Sequence, residues 1–431
     1  MNILYGAYIA ISSALFLSCA FPFWLYTRIT GRYKNGLKER LGLRTRPRER
    51  SRVGSRRIWI HAASLGEVRV AKSIILSLKR ISPACSVFLS TTTEHGRNLA
   101  EELLRDEAMI LFAPVDFIIS VRKALYHTRP DILVFLETEI WPAWIVEAHR
   151  MGIKIAMING RISNRSKKWY LKVPSFFGYI LGKVDRFSMI TDSDRMRIIH
   201  MGADPRNIEV NGNAKYDLLK ELADPSMEAE IRKTLNLKDT CPVLIAGSSR
   251  GGEESMVIKA YEVIRKEFPE TVLIIAPRHI ERSAEIASLL DRNNMRYQLR
   301  SEIGADHERS EQVIIINNFG ELSRLYSVGT IIFCGASLVP LGGQNPLEAA
   351  AWGKAVFYGP YMDDFLDAKA ILEENNAGIQ VSDPEMLAEK ALEFLKDPEL
   401  LKEYGTRARQ AVRQNQGAAE RHARVIADLV R

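Results

Sequence analysis

The chain has 431 residues, 46% of them hydrophobic and 26% charged. That length exceeds one ordinary core and suits two domains of roughly 150–200 residues, and the composition excludes wholesale disorder and collagen-like repeats. Cys19, Cys85, Cys241 and Cys334 lie far apart with no CxxC pair, which excludes a disulfide scaffold and a cysteine-based zinc site. The net charge of +8 is concentrated in residues 28–57, where twelve Arg and Lys face only Glu39 and Glu49, and the rest of the chain sums to −2. A nucleic-acid binder spreads basic residues over its folded surface. A single basic run reads as a membrane-flanking segment, and no nucleic-acid partner is expected.

From Ile3 to Tyr26 the chain carries no charged side chain over 24 residues. At about 1.5 Å per residue this stretch is long enough to cross a hydrocarbon core of about 30 Å. Arg28, Arg32, Lys34, Lys38 and Arg40 follow at once, so the positive-inside rule places the body on the cytoplasmic side of a single-pass anchor. The basic n-region of a cleaved signal peptide is missing. Pro22 points to a kink or a shallow helix end.

Short apolar runs then alternate with helical patterns. Residues 57–63, 86–91, 132–136, 153–158 and 186–191 read as strands, and 68–79 as a helix. The pattern breaks around Ala223-Asp224-Pro225 and resumes with strands at 242–246, 272–276, 313–316, 331–334 and 355–358. Such alternation predicts an α/β fold of two doubly wound, Rossmann-like domains over 58–215 and 241–400. They are joined by a linker over 216–240, preceded by an anchor over 1–27 and a basic linker over 28–57, and followed at 401–431 by a helix returning toward the first domain. Ligands of such sheets bind outside the strand carboxyl ends, so a cleft between the two domains is the expected site.

Several strand ends carry chemistry. In Ser64-Leu65-Gly66-Glu67 a carboxylate lands at a helix start. A capping box explains it, and so does a general base that the helix end keeps ionised. Strand alternation would put Glu137 and Glu139 on one face. Lys215, in Asn213-Ala214-Lys215, sits at the domain junction, where it is either solvated or directed into the cleft. The glycine-rich turn Gly247-Ser248-Ser249-Arg250-Gly251-Gly252 offers N–H groups to a phosphate without matching GxGxxG or a P-loop. Asn345 as N-cap, Pro346 at N1 and Glu348 at N3 write a helix start, with Gly342-Gly343 leaving room for a ligand.

The ordered set HAASLGEV, LETEIWP, NGRISNRS, GNAKYD, GSSRGGEE, APRH, GEL and GGQNPLEAA resembles the 3-deoxy-D-manno-octulosonic acid (Kdo) transferases of lipid A biosynthesis. The resemblance implies the GT-B fold, a cytoplasmic body at the inner membrane, and metal-independent transfer of Kdo from CMP-Kdo to the 6′-hydroxyl of a tetra-acylated lipid A precursor. It implies no cofactor beyond the donor substrate. Glu67 falls on the family's proton acceptor, and Glu137 and Lys215 on its transition-state stabilisers. CMP contacts fall on Pro277, Arg278, Gly320, Glu321, Leu322, Asn345, Pro346, Leu347 and Glu348.

Arg161, Arg165, Lys167 and Lys168, followed by the apolar 173–181, suit an acceptor whose headgroup carries phosphates, or else form a solvated loop before a core helix. Rival readings are a GT-B transferase using a UDP-sugar, a membrane-tethered nucleotide-binding protein without activity, and a metal-dependent transferase built on Asp192 and Asp194. The last pair is better read as the first turn of a helix.

Overall fold

The computed structural model describes residues 3–31, 36–43, 55–163, 169–221, 225–304 and 307–429. They form two compact units, one made of residues up to Leu218 together with Gln416 onward, the other of Leu219–Asn415.

The first unit opens with helix α1 (Ile3–Thr30), which runs through Pro22 and contains an 18-residue window of mean hydropathy 1.8. One side of α1 packs on the unit. Tyr5 is buried with its ring 6.0 Å from Tyr179, Tyr8 donates to Asp116 Oδ2 at 2.5 Å, and Phe16 stacks on Phe117 at 4.3 Å. The other side leaves Ile11, Leu15, Leu17, Phe21 and Ile29 exposed.

Seven parallel strands follow: β1 (Arg57–Ala62), β2 (Ser86–Thr91), β3 (Met109–Phe112), β4 (Ile132–Leu136), β5 (Lys154–Gly160), β6 (Arg186–Met189) and β7 (Ile208–Val210). They lie in the order β3-β2-β1-β4-β5-β6-β7. Both faces are covered, which is why the central strands are near-continuous apolar runs. Trp59, Leu133 and Phe135 point to one core, shared with α3 (Pro142–Arg150) and α4 (Pro174–Leu181). Ile58, Ile60, Val134 and Leu136 point to the other, shared with α2 (Leu65–Ile81).

The second unit repeats the plan with β8 (Val243–Ser249), β9 (Val272–Pro277), β10 (Tyr297–Leu299), β11 (Val313–Ile315), β12 (Ile331–Cys334), β13 (Ala355–Tyr358) and β14 (Gly378–Gln380). Their order is β10-β11-β9-β8-β12-β13-β14, again parallel throughout. α5 (Glu254–Glu267) buries Val257, Tyr261 and Ile264, α6 (Leu347–Ala351) follows β12, and α7 (Pro398–Gln414) closes the unit. Residues 401–431 are therefore not one helix. Gly417, at φ 83°, turns the chain, and α8 (Ala418–Leu429) lays Ala419, Ala423 and Ile426 into the first unit beside the residues of α2.

Four strands were not expected from the sequence: β3, β7, β10 and β14. They are the four edges of the two sheets. Each has only three or four residues and is at most half buried along its length. β7, β10 and β14 carry no continuous apolar run, whereas β3 is apolar throughout but only four residues long, too short to separate from a helix segment by pattern.

Candidate active site

In the first sheet the strand order reverses between β1 and β4, and ligands of doubly wound sheets gather outside the carboxyl ends at that point. Glu67 follows β1. Ser64 caps α2, accepting the Glu67 N–H on its hydroxyl oxygen at 3.2 Å. The Glu67 carboxylate turns back, Oε2 accepting the Ala63 N–H and Oε1 the Ser64 hydroxyl, each at 2.8 Å. The expected box is thus present in a variant reaching one residue further back, and capping does not exclude chemistry. The helix end does not by itself hold this acid in the ordinary carboxylate range. Glu67 is only 7% exposed. Burial outweighs the two donors and, with the Glu137 and Glu139 carboxylates acting in the same direction, pushes its pKa up to about 7.

Glu137 follows β4. It takes the left-handed backbone (φ 54°) and donates its N–H to the Ile158 carbonyl at 3.0 Å. The strand has ended before it, so the alternation that would set Glu137 and Glu139 on one face does not apply. Glu139 lies in the turn, where Oε2 accepts the Trp141 indole N–H at 2.5 Å and burial raises its pKa. Glu137 Oε1 instead meets Lys215 Nζ at 2.7 Å.

Lys215 arrives from the loop after β7, which is fastened at successive residues. The Ala214 N–H donates to Asn159 Oδ1 at 2.8 Å and the Lys215 N–H to Asn213 Oδ1 at 3.0 Å. The Asp217 carboxylate accepts the Gly417 and Ala419 N–H groups at the start of α8. Buried His422 of α8 joins Ser188 Oγ at 2.7 Å to the Gly212 carbonyl at 3.0 Å, and burial lowers its pKa to about 4, leaving it neutral.

Arg161 lies just past β5, its carbonyl accepting the Thr138 hydroxyl at 2.6 Å. Arg165, Lys167 and Lys168 fall outside the described residues. Beyond them Trp169, Leu171 and Val173 are exposed, with Lys172 Nζ 3.5 Å above the Trp169 ring. Asp192 and Asp194 occupy the first turn of helix Asp192–His200, where Asp194 accepts the Ile162 N–H and the Thr191 hydroxyl.

In the second sheet the reversal falls between β8 and β12. The glycine-rich turn after β8 was expected to offer its N–H groups to a phosphate. One of them, that of Arg250, is taken by the chain's own Glu253. The fully buried Glu253 carboxylate accepts the N–H groups of Arg250 at 2.9 Å, Ser337 at 3.3 Å and Leu338 at 3.4 Å, and that of Ala336 as well. It stitches the two loops at the reversal together, and burial raises its pKa to about 7.

Pro277 ends β9, and exposed Arg278 follows, its N–H held by the Ser249 carbonyl at 3.0 Å. After β11, Gly320 (φ 84°) turns the chain into Glu321 and Leu322, with Glu321 Oε2 2.9 Å from Arg300 Nε. α6 begins at Leu347, one residue later than expected, with Pro346 before it. Asn345 Oδ1 still accepts the Leu347 N–H at 3.1 Å, and Glu348 sits in the first turn. At Gly342 and Gly343 a side chain would run into Asp364 and Met362 of the same chain, which accounts for glycine at both positions without a ligand.

A family model described as 3-deoxy-D-manno-octulosonic-acid transferase (kdotransferase) matches residues 35–218. A 3-deoxy-D-manno-octulosonic acid transferase of Rickettsia felis is 30% identical over 412 residues, covering 92% of this chain and 86% of that protein. The chain belongs to the Kdo transferase family. A bifunctional glycosyltransferase/methyltransferase of Fusobacterium nucleatum is 32% identical over 343 residues, covering 79% of this chain and 52% of its own length, so this Kdo transferase spans about half of that relative. The crystal structure of a glycosyltransferase from Rickettsia africae superposes with a TM-score of 0.61 at 16% identity, covering 88% of this chain and 98% of that one. The architecture is GT-B, and the family makes this Kdo transferase a glycosyltransferase.

Sequence reasoning missed four polar residues of this chain. Asn159 and Asp217 hold the Lys215 loop, His422 holds α8, and Glu253 holds the second reversal. Asn159 and Asp217 sit inside the recognised NGRISNRS and GNAKYD segments, but their partners lie 55 or more residues away in the chain. No local spacing announces them.

Proposed function

We propose that this protein transfers Kdo from CMP-Kdo, with inversion, to the 6′-hydroxyl of a tetra-acylated lipid A precursor. The observation that carries the reading is the placement of Glu67, a buried carboxylate of pKa about 7 outside the strand-order reversal, in the electrostatic company of the Glu137–Lys215 pair. A proton acceptor works best when its pKa lies near the working pH.

Glu67 takes the proton of the acceptor hydroxyl as that oxygen forms its bond to the anomeric carbon of Kdo. The bond from that carbon to the phosphate oxygen breaks, and CMP leaves with the electron pair. One base and one displacement invert the anomeric centre. Positive charge develops on the sugar and negative charge on the departing phosphate. Glu137 and Lys215 supply one fixed charge of each sign. In the second unit Pro277, Arg278, Gly320, Glu321, Leu322 and Asn345 to Glu348 hold CMP, with exposed Arg278 the cation nearest the end of β9. No metal takes part, and transfer persists in EDTA.

α1 is the single-pass anchor that attaches the protein to the inner membrane, with the body on the cytoplasmic side. Arg161, Arg165, Lys167 and Lys168 serve the phosphates of the acceptor headgroup. Mass spectrometry of the lipid A precursor after incubation with CMP-Kdo tests the reading. A mass increase of one or more Kdo units is expected. An unchanged acceptor, or competition by UDP in place of CMP, overturns it.

A further inference from the structure

Both members of the Glu137–Lys215 pair are fastened to one dipeptide at the end of β5. The Ile158 carbonyl accepts the Glu137 N–H at 3.0 Å. The next residue, Asn159, accepts on Oδ1 the N–H of Ala214, the residue before Lys215, at 2.8 Å. Asn159 is fully buried and takes the left-handed backbone (φ 54°), which asparagine tolerates better than most residues. Its Nδ2 has no hydrogen-bond partner among the described residues. A buried carboxamide satisfied on one side only costs more than an apolar group of similar shape. Stability accounts for the Oδ1, which pairs the buried Ala214 N–H, but not for the unpartnered Nδ2, and the bond that Oδ1 makes also fixes where the Lys215 loop lies.

We propose that Asn159 is a positioning residue for the transfer reaction, setting through the Ala214 amide the reach of Lys215 to Glu137. The proposal rests on the reading of Glu137 and Lys215 as charges that stabilise the transition state. A lysine ammonium rides on a flexible four-carbon stem, so its location depends on where the backbone beneath it is held. A misplacement of about 1 Å is enough to cost on the order of 100-fold in rate.

The test is a double-mutant cycle on the full chain, with CMP-Kdo and the lipid A precursor as substrates. Asn159→Gly keeps the left-handed backbone and removes the side chain with its acceptor. It is expected to lower kcat about 10- to 100-fold while KM stays within about twofold. Lys215→Met is expected to lower kcat about 100-fold. In the Lys215→Met background, Asn159→Gly is expected to change kcat by less than about twofold, because the two act through one charge.

An equal loss in both backgrounds overturns the Asn159 assignment and leaves the role of Lys215 standing. A Lys215→Met enzyme at full turnover overturns both. If circular dichroism finds Asn159→Gly unfolded, the cycle is run with Asn159→Asp, which sets a carboxylate beside the same loop. A change in kcat that vanishes in the Lys215→Met background then supports positioning through Lys215, and one that persists overturns it.

Discussion

Lys215 Nζ lies 2.7 Å from Glu137 Oε1, the two residues reaching each other from the ends of β7 and β4. The contact neutralises part of a carboxylate whose field acts on Glu67. The three groups therefore form one electrostatic unit, which the proposed function uses with Glu67 as proton acceptor and the pair as fixed charge. The consequences are open to measurement.

Glu67 accepts a proton only when ionised, and its pKa stands at about 7. The rate should therefore rise with pH through about 7 and level off above it, the reverse of what an acid catalyst would give. Glu67→Gln should lower kcat about 100- to 10,000-fold at every pH, with CMP affinity by calorimetry unchanged. A parent rate that stays flat between about pH 5.5 and 8 would count against Glu67 as the base.

Four backbone N–H groups depend on Glu253, one in the turn after β8 and three in the loop after β12. Glu253→Ala should destabilise the second unit by about 2–4 kcal/mol, since buried donors left unpaired are costly. Urea denaturation followed by fluorescence would read this as a lower midpoint. CMP binding should weaken along with it, because the loops after β8 and β12 lose their common tie. A variant as stable as the parent would show that the two loops hold their shape without the carboxylate.

His422 is neutral in the fold, its pKa lowered from 6.5 to about 4, so the unfolded chain takes up the proton first as pH falls. Its contribution is whole above about pH 6.5 and is lost toward pH 4, at up to about 1.4 kcal/mol per pH unit. Glu67 and Glu253, raised from 4.5 to about 7, act with the opposite sign between those values, and buried His61 with the same sign as His422. The informative quantity is thus the difference between His422→Gln and the parent. The gap in Tm should be widest near pH 7 and shrink toward pH 5; a gap that is constant with pH would mean that His422 does not titrate in the unfolding transition.

The sheet centres were legible in the sequence because strands buried on both faces must be apolar at every position, as Ile132–Leu136 is. The edges β7, β10 and β14 were not, because a strand with one side open to water needs no such run, and β3, though apolar throughout, is only four residues long. Glu67 was visible through Ser64, whose capping role is local. Its protonation was not, because that depends on burial and on two carboxylates from the end of another strand. That Glu253 ties the glycine-rich turn to the loop after β12 was not legible either, because Ala336, Ser337 and Leu338 lie 83 to 85 residues away from it.

By itself, the order of residues determined everything governed by near neighbours: two runs of alternating strand and helix, the caps that start the helices, the apolar N-terminal stretch, and the motifs that mark the family. Only the tertiary structure decided which charges meet, where the chain doubles back at Gly417 to add α8 to the first unit, and which acids are stripped of water. Those outcomes depend on distance and dielectric, and both are set by segments far apart in the chain.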